Sequence, residues 1–406
     1  MTAGGTASLE GWAFVAELCR AAGFARAGLC AAAPTSHREF LLRWLAEERH
    51  GEMRYLERRV ELRIDPRAMV PDAKAILCVA DRYSDGRRDA VGQPLRGRIG
   101  RYARGGDYHA AIRARLEAIR DRCLGRWPQH RFRVCVDTAP LLEREHAARA
   151  GLGAIGKHTL LIEPGVGSWL LLGAIVSTMP AESDTRRAGE GRGAIGREGR
   201  GSGSAAAQVA GPEPSASLLE EHAGGRGAAA SSGQDPCGTC TRCIDACPTG
   251  CIEPFAVDAA RCISYLTLEH RGAVDERLHS AIGDWIAGCD VCQEVCPHSA
   301  ATRRSRSAPI HAAYAPRRDS LDVMEVIGWK EHDRRAVVED SPLGRLSLPM
   351  FRRNAIIVAG NTVPPALRPA LCERLRRIAE DAEEDGVVRA TARSVLRRLS
   401  IDAAAP

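Results

Sequence analysis

The chain has 406 residues, 45% hydrophobic and 27% charged, which suffices for two or three domains with a buried core and excludes a small scaffold dependent on covalent staples. No run approaches the ~18 consecutive apolar residues a membrane helix needs, so no membrane-spanning helix is expected. Lys and Arg number 57 against 51 Asp and Glu, a net charge of +6 that permits a polyanionic partner such as nucleic acid without demanding one.

From the N-terminus to residue 181 helical and strand-like patterns alternate. Short apolar runs at Ala75 to Ala80, Phe132 to Val136 and Trp169 to Val176 read as buried strands, and Tyr108 to Arg122 reads as an amphipathic helix. An α/β domain over 1–181 is expected. Residues 182–234 are dominated by Gly and Ala, with Arg and Ser, and contain no Phe, Trp or Tyr. Such a segment buries too little apolar surface to offset its ordering entropy, and a disordered insertion is expected. A cysteine module follows over 235–300, then a polar connection over 301–341. Residues 342–400 carry apolar positions at helical spacing with Arg opposite, the pattern of stacked α-helical repeats.

Cysteine is the most informative residue type. Nine of the fifteen fall between Cys237 and Cys296. The first residues carry no basic stretch followed by an apolar one and no twin arginine, so a cytoplasmic location and metal-binding thiolates are expected. Cys237-x2-Cys240-x2-Cys243-x3-Cys247-Pro matches the bacterial ferredoxin run, in which the fourth thiolate reaches the other cluster. Cys262 and Cys289-x2-Cys292-x3-Cys296-Pro supply the second set. Eight ligands for two [4Fe–4S] cubes result: Cys237, Cys240, Cys243 and Cys296 for one, Cys247, Cys262, Cys289 and Cys292 for the other. Cys251 is left over. Structural zinc, the alternative, does not explain two Cys-x3-Cys-Pro endings. Two cubes in one small fold form a wire for single electrons, and a wire needs a redox site at its end.

Gly151-Leu-Gly-Ala-Ile-Gly156 fits a dinucleotide fingerprint, but no strand precedes it and a strand-like run follows, so nicotinamide is not expected. The longer runs around it are more specific. Val136 to Arg144 (Val-Asp-Thr-Ala-Pro-Leu-Leu-Glu-Arg), Ala148 to Thr159, Tyr102 to His109, Arg63-Ile-Asp-Pro66, Arg261-Cys-Ile-Ser264 and Gly288 to Pro297 together resemble the signature of epoxyqueuosine reductases. The resemblance spans nearly the whole chain outside the insertion. It departs in the insertion itself and in Cys251, where a small residue such as Ala is expected.

The resemblance implies an α/β cobalamin-binding domain, a ferredoxin-like two-cluster module and C-terminal HEAT-like repeats. It further implies reduction of epoxyqueuosine to queuosine in the anticodon loop of tRNA, with cobalamin (cob(II)alamin at rest), two [4Fe–4S] clusters and an external electron donor. Loss of an epoxide oxygen as water takes two electrons and two protons, so a carboxylic acid must stand at the site. Asp137 is the expected acid if burial raises its pKa; read from spacing alone it is equally a helix N-cap. Arg63, Ser264 and Asp290 are implied near the corrin. Asp107-Tyr-His109 begins like a cobalamin motif but lacks its glycine, so His109 is not assigned and a capped helix start is as good a reading. Lys157 is open between a cofactor contact and a solvated charge, and His158 reads as structural. For tRNA the expected contacts are Arg352 and Arg353 on the C-terminal helices and His270 and Arg271 after a Cys262 strand. Two other readings remain at this point. A cobalamin-dependent reductive dehalogenase-like enzyme fits poorly with the missing twin arginine and the long segment after Cys296. A non-catalytic iron–sulfur RNA-binding protein leaves Asp137 without a task.

Overall fold

Residues 75–80 are apolar on both faces, and in a computed structural model of the chain residues 75–82 form an inner strand of a four-stranded antiparallel sheet. The structure describes residues 6–87, 89, 92–181, 235–302, 306 and 310–404. The insertion expected over 182–234 lies outside the described residues. Strand order is Arg26–Ala31, Ala75–Arg82, Leu170–Ser177, Phe132–Cys135, with Cys78 opposite both Gly28 and Ala174.

Every residue of Ala75–Arg82 is buried, because the sheet is covered on both sides. Ala75, Leu77 and Val79 face a core containing Trp12, Val15 and Cys19 of the Thr6–Ala21 helix and Ile112, Leu116 and Ile119 of the Tyr108–Arg126 helix. Ile76, Cys78 and Ala80 face the Glu143–Arg149 helix through Ala147 and Ala150. Gly173 lets the first layer close: a Cβ there would lie 2.7 Å from Ile112 Cγ2 and 2.9 Å from Leu116 Cδ1. The Gly151 to Gly156 run leads into the antiparallel pair Ala154–Ile155 and Leu161–Ile162, as the strand-like continuation suggests.

A second sheet ties the rest of the chain to this unit. Arg96–Ile99 is its middle strand, parallel to Trp285–Ala287 of the cysteine module and antiparallel to Ser320–Asp322. The segment expected to be mere connection thus holds that strand and the helices Val323–Ile327 and Glu331–Val338. The Leu348–Thr362, Arg368–Glu380 and Gly386–Ala404 helices share one core with Ile99, Ile263, Leu266 and Trp285. Cys262, read as lying on a strand, is instead the residue before the Ile263–Leu268 helix.

Candidate active site

Asp137 stands two residues beyond the Phe132–Cys135 strand, in the left-handed region at φ 46°. The following helix starts only at Glu143 and is capped by Leu142 without a side-chain bond, so the capping alternative for Asp137 falls. Its carboxylate side chain is 42% exposed. Asp137 Oδ2 lies 2.9 Å from His109 Nε2, and His109 Nδ1 lies 2.7 Å from Asp107 Oδ1. Asp107 also caps the Tyr108–Arg126 helix by accepting from the His109 N–H. The Tyr108 ring stacks on His109 at 3.9 Å. Arg345, paired with Glu269, brings Nη2 to 3.6 Å from Asp137 Oδ2. His109, 28 residues from Asp137, and Arg345 were not assigned from sequence.

The expectation that burial raises the Asp137 pKa is corrected. Burial does push the carboxyl up, but the His109 hydrogen bond, the His109 charge and Arg345 outweigh it and hold the group below its ordinary value. His109 moves the other way: burial lowers it, and the bonds to Asp137 and Asp107 more than compensate. The proton of this pair therefore rests on the imidazole. Behind Asp137, Glu143 Oε1 accepts the Asp137 N–H at 2.9 Å.

The cysteines gather in two neighbouring groups. Cys237, Cys240, Cys243 and Cys296 line one small cavity, of about 40 Å³, with His158 and His298. Burial and then the charges of Cys262, Asp290, Cys243 and Cys247 push the Cys292 thiol up, so both sets lie side by side. Among the described residues no three Cys, His or acidic side chains are arranged to hold a single metal ion. Cys251 is buried, with its Sγ 3.4 Å from Cys247 Sγ. Lys157 is neither a solvated charge nor turned to the cleft. Its Nζ donates to the carbonyls of Gly238 and Cys240 at 2.6 and 3.1 Å, and its N–H to Cys237 Sγ at 3.3 Å. Burial, then Arg144, lowers His158 to about 4, which keeps it neutral, and its Nε2 is buried without a partner.

Of the corrin residues, Arg63 is buried, donates from Nη2 to the Tyr55 carbonyl at 3.3 Å and leaves Nε without a partner. Ser264 is half-buried in the first turn after Cys262. Asp290 follows Cys289 directly, at the start of the Val291–Glu294 helix. It is 1% exposed, with Oδ2 accepting the Arg101 N–H at 2.8 Å and Oδ1 facing Gln293.

The tRNA expectation is corrected at two of its four residues. Arg353 is 0% exposed and donates to the carbonyls of Leu266, His270 and Gly272. Arg352 forms a bidentate pair with Glu384 at 2.6 Å and donates to the Ile327 carbonyl. Neither guanidinium is open to phosphate. His270 is half-buried against Glu52 at 3.1 Å, and Arg271 is exposed.

Residues 63–138 match the family model for epoxyqueuosine reductase QueG (DUF1730), and 236–299 that of the 4Fe-4S double cluster binding domain. The chain is 34% identical over 357 residues to the epoxyqueuosine reductase of Xanthomonas campestris pv. campestris, covering 86% of each protein. It is 31% identical over 346 residues to that of Escherichia coli strain K12, covering 84% of this chain and 78% of that protein. The Bacillus subtilis epoxyqueuosine reductase, solved with its catalytic aspartate loop swung out of the active site, superposes with a TM-score of 0.70 at 22% identity over 96% of this chain and 91% of that one. An epoxyqueuosine reductase solved with an epoxyqueuosine-modified tRNA-Tyr stem loop has a TM-score of 0.70 at 21% identity over 97% of this chain and 100% of that one. With relatives of this identity aligned along most of its length, the chain belongs to the epoxyqueuosine reductase family.

Proposed function

We propose that this epoxyqueuosine reductase removes the epoxide oxygen of epoxyqueuosine in the anticodon loop of tRNA as water, leaving queuosine, with Asp137 delivering the proton. The observation that carries the reading is the Asp137–His109 contact of 2.9 Å, with Arg345 at 3.6 Å from the same carboxylate oxygen. The reaction takes up two electrons and two protons, and a departing oxygen must be protonated. Asp137, a carboxylate at rest, takes a proton from His109, whose imidazole holds the proton of the pair, and passes it to the departing oxygen. Asp107 fixes the ring through Nδ1, so that Nε2 faces Asp137.

Two [4Fe–4S] clusters fit the thiol sets named above, and Lys157 holds the first ligand loop by its carbonyls. Cobalamin fits the residues present: the unpartnered Arg63 Nε and Ser264 offer polar contacts beside the cleft. When bound, it would supply strongly reducing one-electron cobalt chemistry, with the thiol sets holding the clusters that would relay electrons from an external donor. The modified base leaves its stack to reach the cleft, and Arg271 with His270 stands at the rim that meets the anticodon arm. The C-terminal helices, read as HEAT-like repeats, complete that surface.

Anaerobic protein carrying about eight irons per chain, given corrinoid, reductant and an epoxyqueuosine-modified stem loop, should convert the base with loss of one oxygen by mass spectrometry. Absence of conversion by fully loaded protein would overturn the reading.

A further inference from the structure

We propose that Glu143 is the positioning residue of this site: it holds the Asp137 N–H and so fixes the turn that aims the Asp137 carboxylate at His109. The proposal rests on the reading of Asp137 as proton donor. Asp137 is a non-glycine residue at φ 46°, a conformation L-residues adopt reluctantly and keep only when their surroundings impose it. Its N–H donates to Glu143 Oε1 at 2.9 Å, across a turn closed by the first residue of the Glu143–Arg149 helix. That helix packs on the central sheet, so the latch stands on a rigid support while Asp137 stands on a loop.

Glu143 does this without adding a second negative charge. Burial first, and then the charge of Asp137, raise its carboxyl from 4.5 to about 8, so it is the neutral acid at neutral pH. The groups facing it are Asp137 on the loop, Arg144 on its own helix, Cys78 and Cys135 on the sheet, and Tyr108 at the neighbouring helix start. Arg144 donates to the Thr159 carbonyl at 3.1 Å. Cys30, on the strand Arg26–Ala31, faces His146 and Arg149 further along the helix. The Cys78, Cys135 and Tyr108 groups are all raised by their surroundings and stay neutral in this range. As pH rises through about 8, Glu143 ionises beside the Asp137 carboxylate, and repulsion between the two opens the turn.

The test compares the loaded wild type with Glu143→Gln and Glu143→Ala. Gln keeps an oxygen for the Asp137 N–H and never ionises. Glu143→Ala should lower kcat roughly 10²-fold, the order expected when a reacting group shifts by about 1 Å, with KM for the modified stem loop unchanged. Its peptide over 134–142 should exchange amide hydrogen faster than wild type. Glu143→Gln should restore both kcat at pH 7 and the exchange protection, and should lack the additional loop opening expected of wild type as pH passes about 8. Wild-type kcat and exchange in Glu143→Ala would overturn the proposal. So would a Glu143→Gln enzyme as inactive as Glu143→Ala with its loop protected, which would make Glu143 a proton donor. Should the wild type fail to convert the stem loop, the functional reading falls and the exchange comparison still decides the latch.

Discussion

Asp137 rests as a carboxylate because His109 and Arg345 hold it there, and its acidity is therefore borrowed from the imidazole. Asp137→Asn keeps the shape and removes the proton carrier; turnover should drop ~10²–10⁴-fold while iron content and corrinoid binding stay unchanged. A variant with wild-type turnover would place the acid elsewhere. The His109 pair also has a signature in stability. Its pKa lies above the ordinary 6.5, so the pair's contribution is complete below that value and is lost as pH rises through the raised one. Denaturation midpoints of wild type should fall over that interval, and those of His109→Gln should not. The sequence makes Asp137 visible through its run of neighbours. It could not show His109 facing it, since a contact across 28 residues depends on how a helix start docks against a strand end. Arginine burial is hidden in the same way: Arg352 and Arg353 are adjacent in one helix, and only packing shows that both guanidinia face protein partners.

At the scale of elements, the legible strands were those whose residues prefer pleated, buried positions. Ala75–Arg82 and Leu170–Ser177 carry Ile, Leu and Val, and the structure extends the first expected run by two residues and shifts the second by one. Arg26–Ala31, Arg-Ala-Gly-Leu-Cys-Ala, has no β-branched residue and is a strand because Ala75 to Ala80 offers it a partner. The helix over the sheet depends on a missing side chain opposite it. Gly173→Val would drive methyls into Ile112 and Leu116, and the overpacking should cost about 1–3 kcal/mol in a denaturant titration. An unchanged midpoint would mean that the Tyr108–Arg126 helix rides over the sheet with slack. The double-cluster domain was legible because the spacing of its cysteines encodes it. The helix after Cys262 was not, because its six residues are too few to show a period.

Across the whole molecule the units do not separate as the sequence divides them. Arg353, from a C-terminal helix, is spent on three carbonyls around the end of the Ile263–Leu268 helix in the cysteine module, and Asn354 donates to the carbonyls of Thr267 and Ile286 beside it. Arg353→Met fills the space but leaves those carbonyls dry, at about 1–3 kcal/mol for each unsatisfied group. The variant should unfold at markedly lower denaturant, and whatever stays folded should bind the stem loop with the wild-type salt slope. A reduced slope would return Arg353 to the nucleic-acid surface.

The strand Arg96–Ile99 has a consequence for how the chain is made. Its neighbour on one side is encoded almost two hundred residues later, as the 186-residue separation between Arg98 and its partner Asp284 records, and its other neighbour later still. At a synthesis rate of about 5–20 residues per second, the nascent chain waits roughly ten to forty seconds with this strand unpaired on both edges. Such edges are templates for association with other chains. Residues 1–181 expressed alone should therefore be chiefly insoluble, and co-expression of residues 235–406 should recover them. A soluble, monomeric 1–181 fragment would show that the first unit protects this strand by itself during translation.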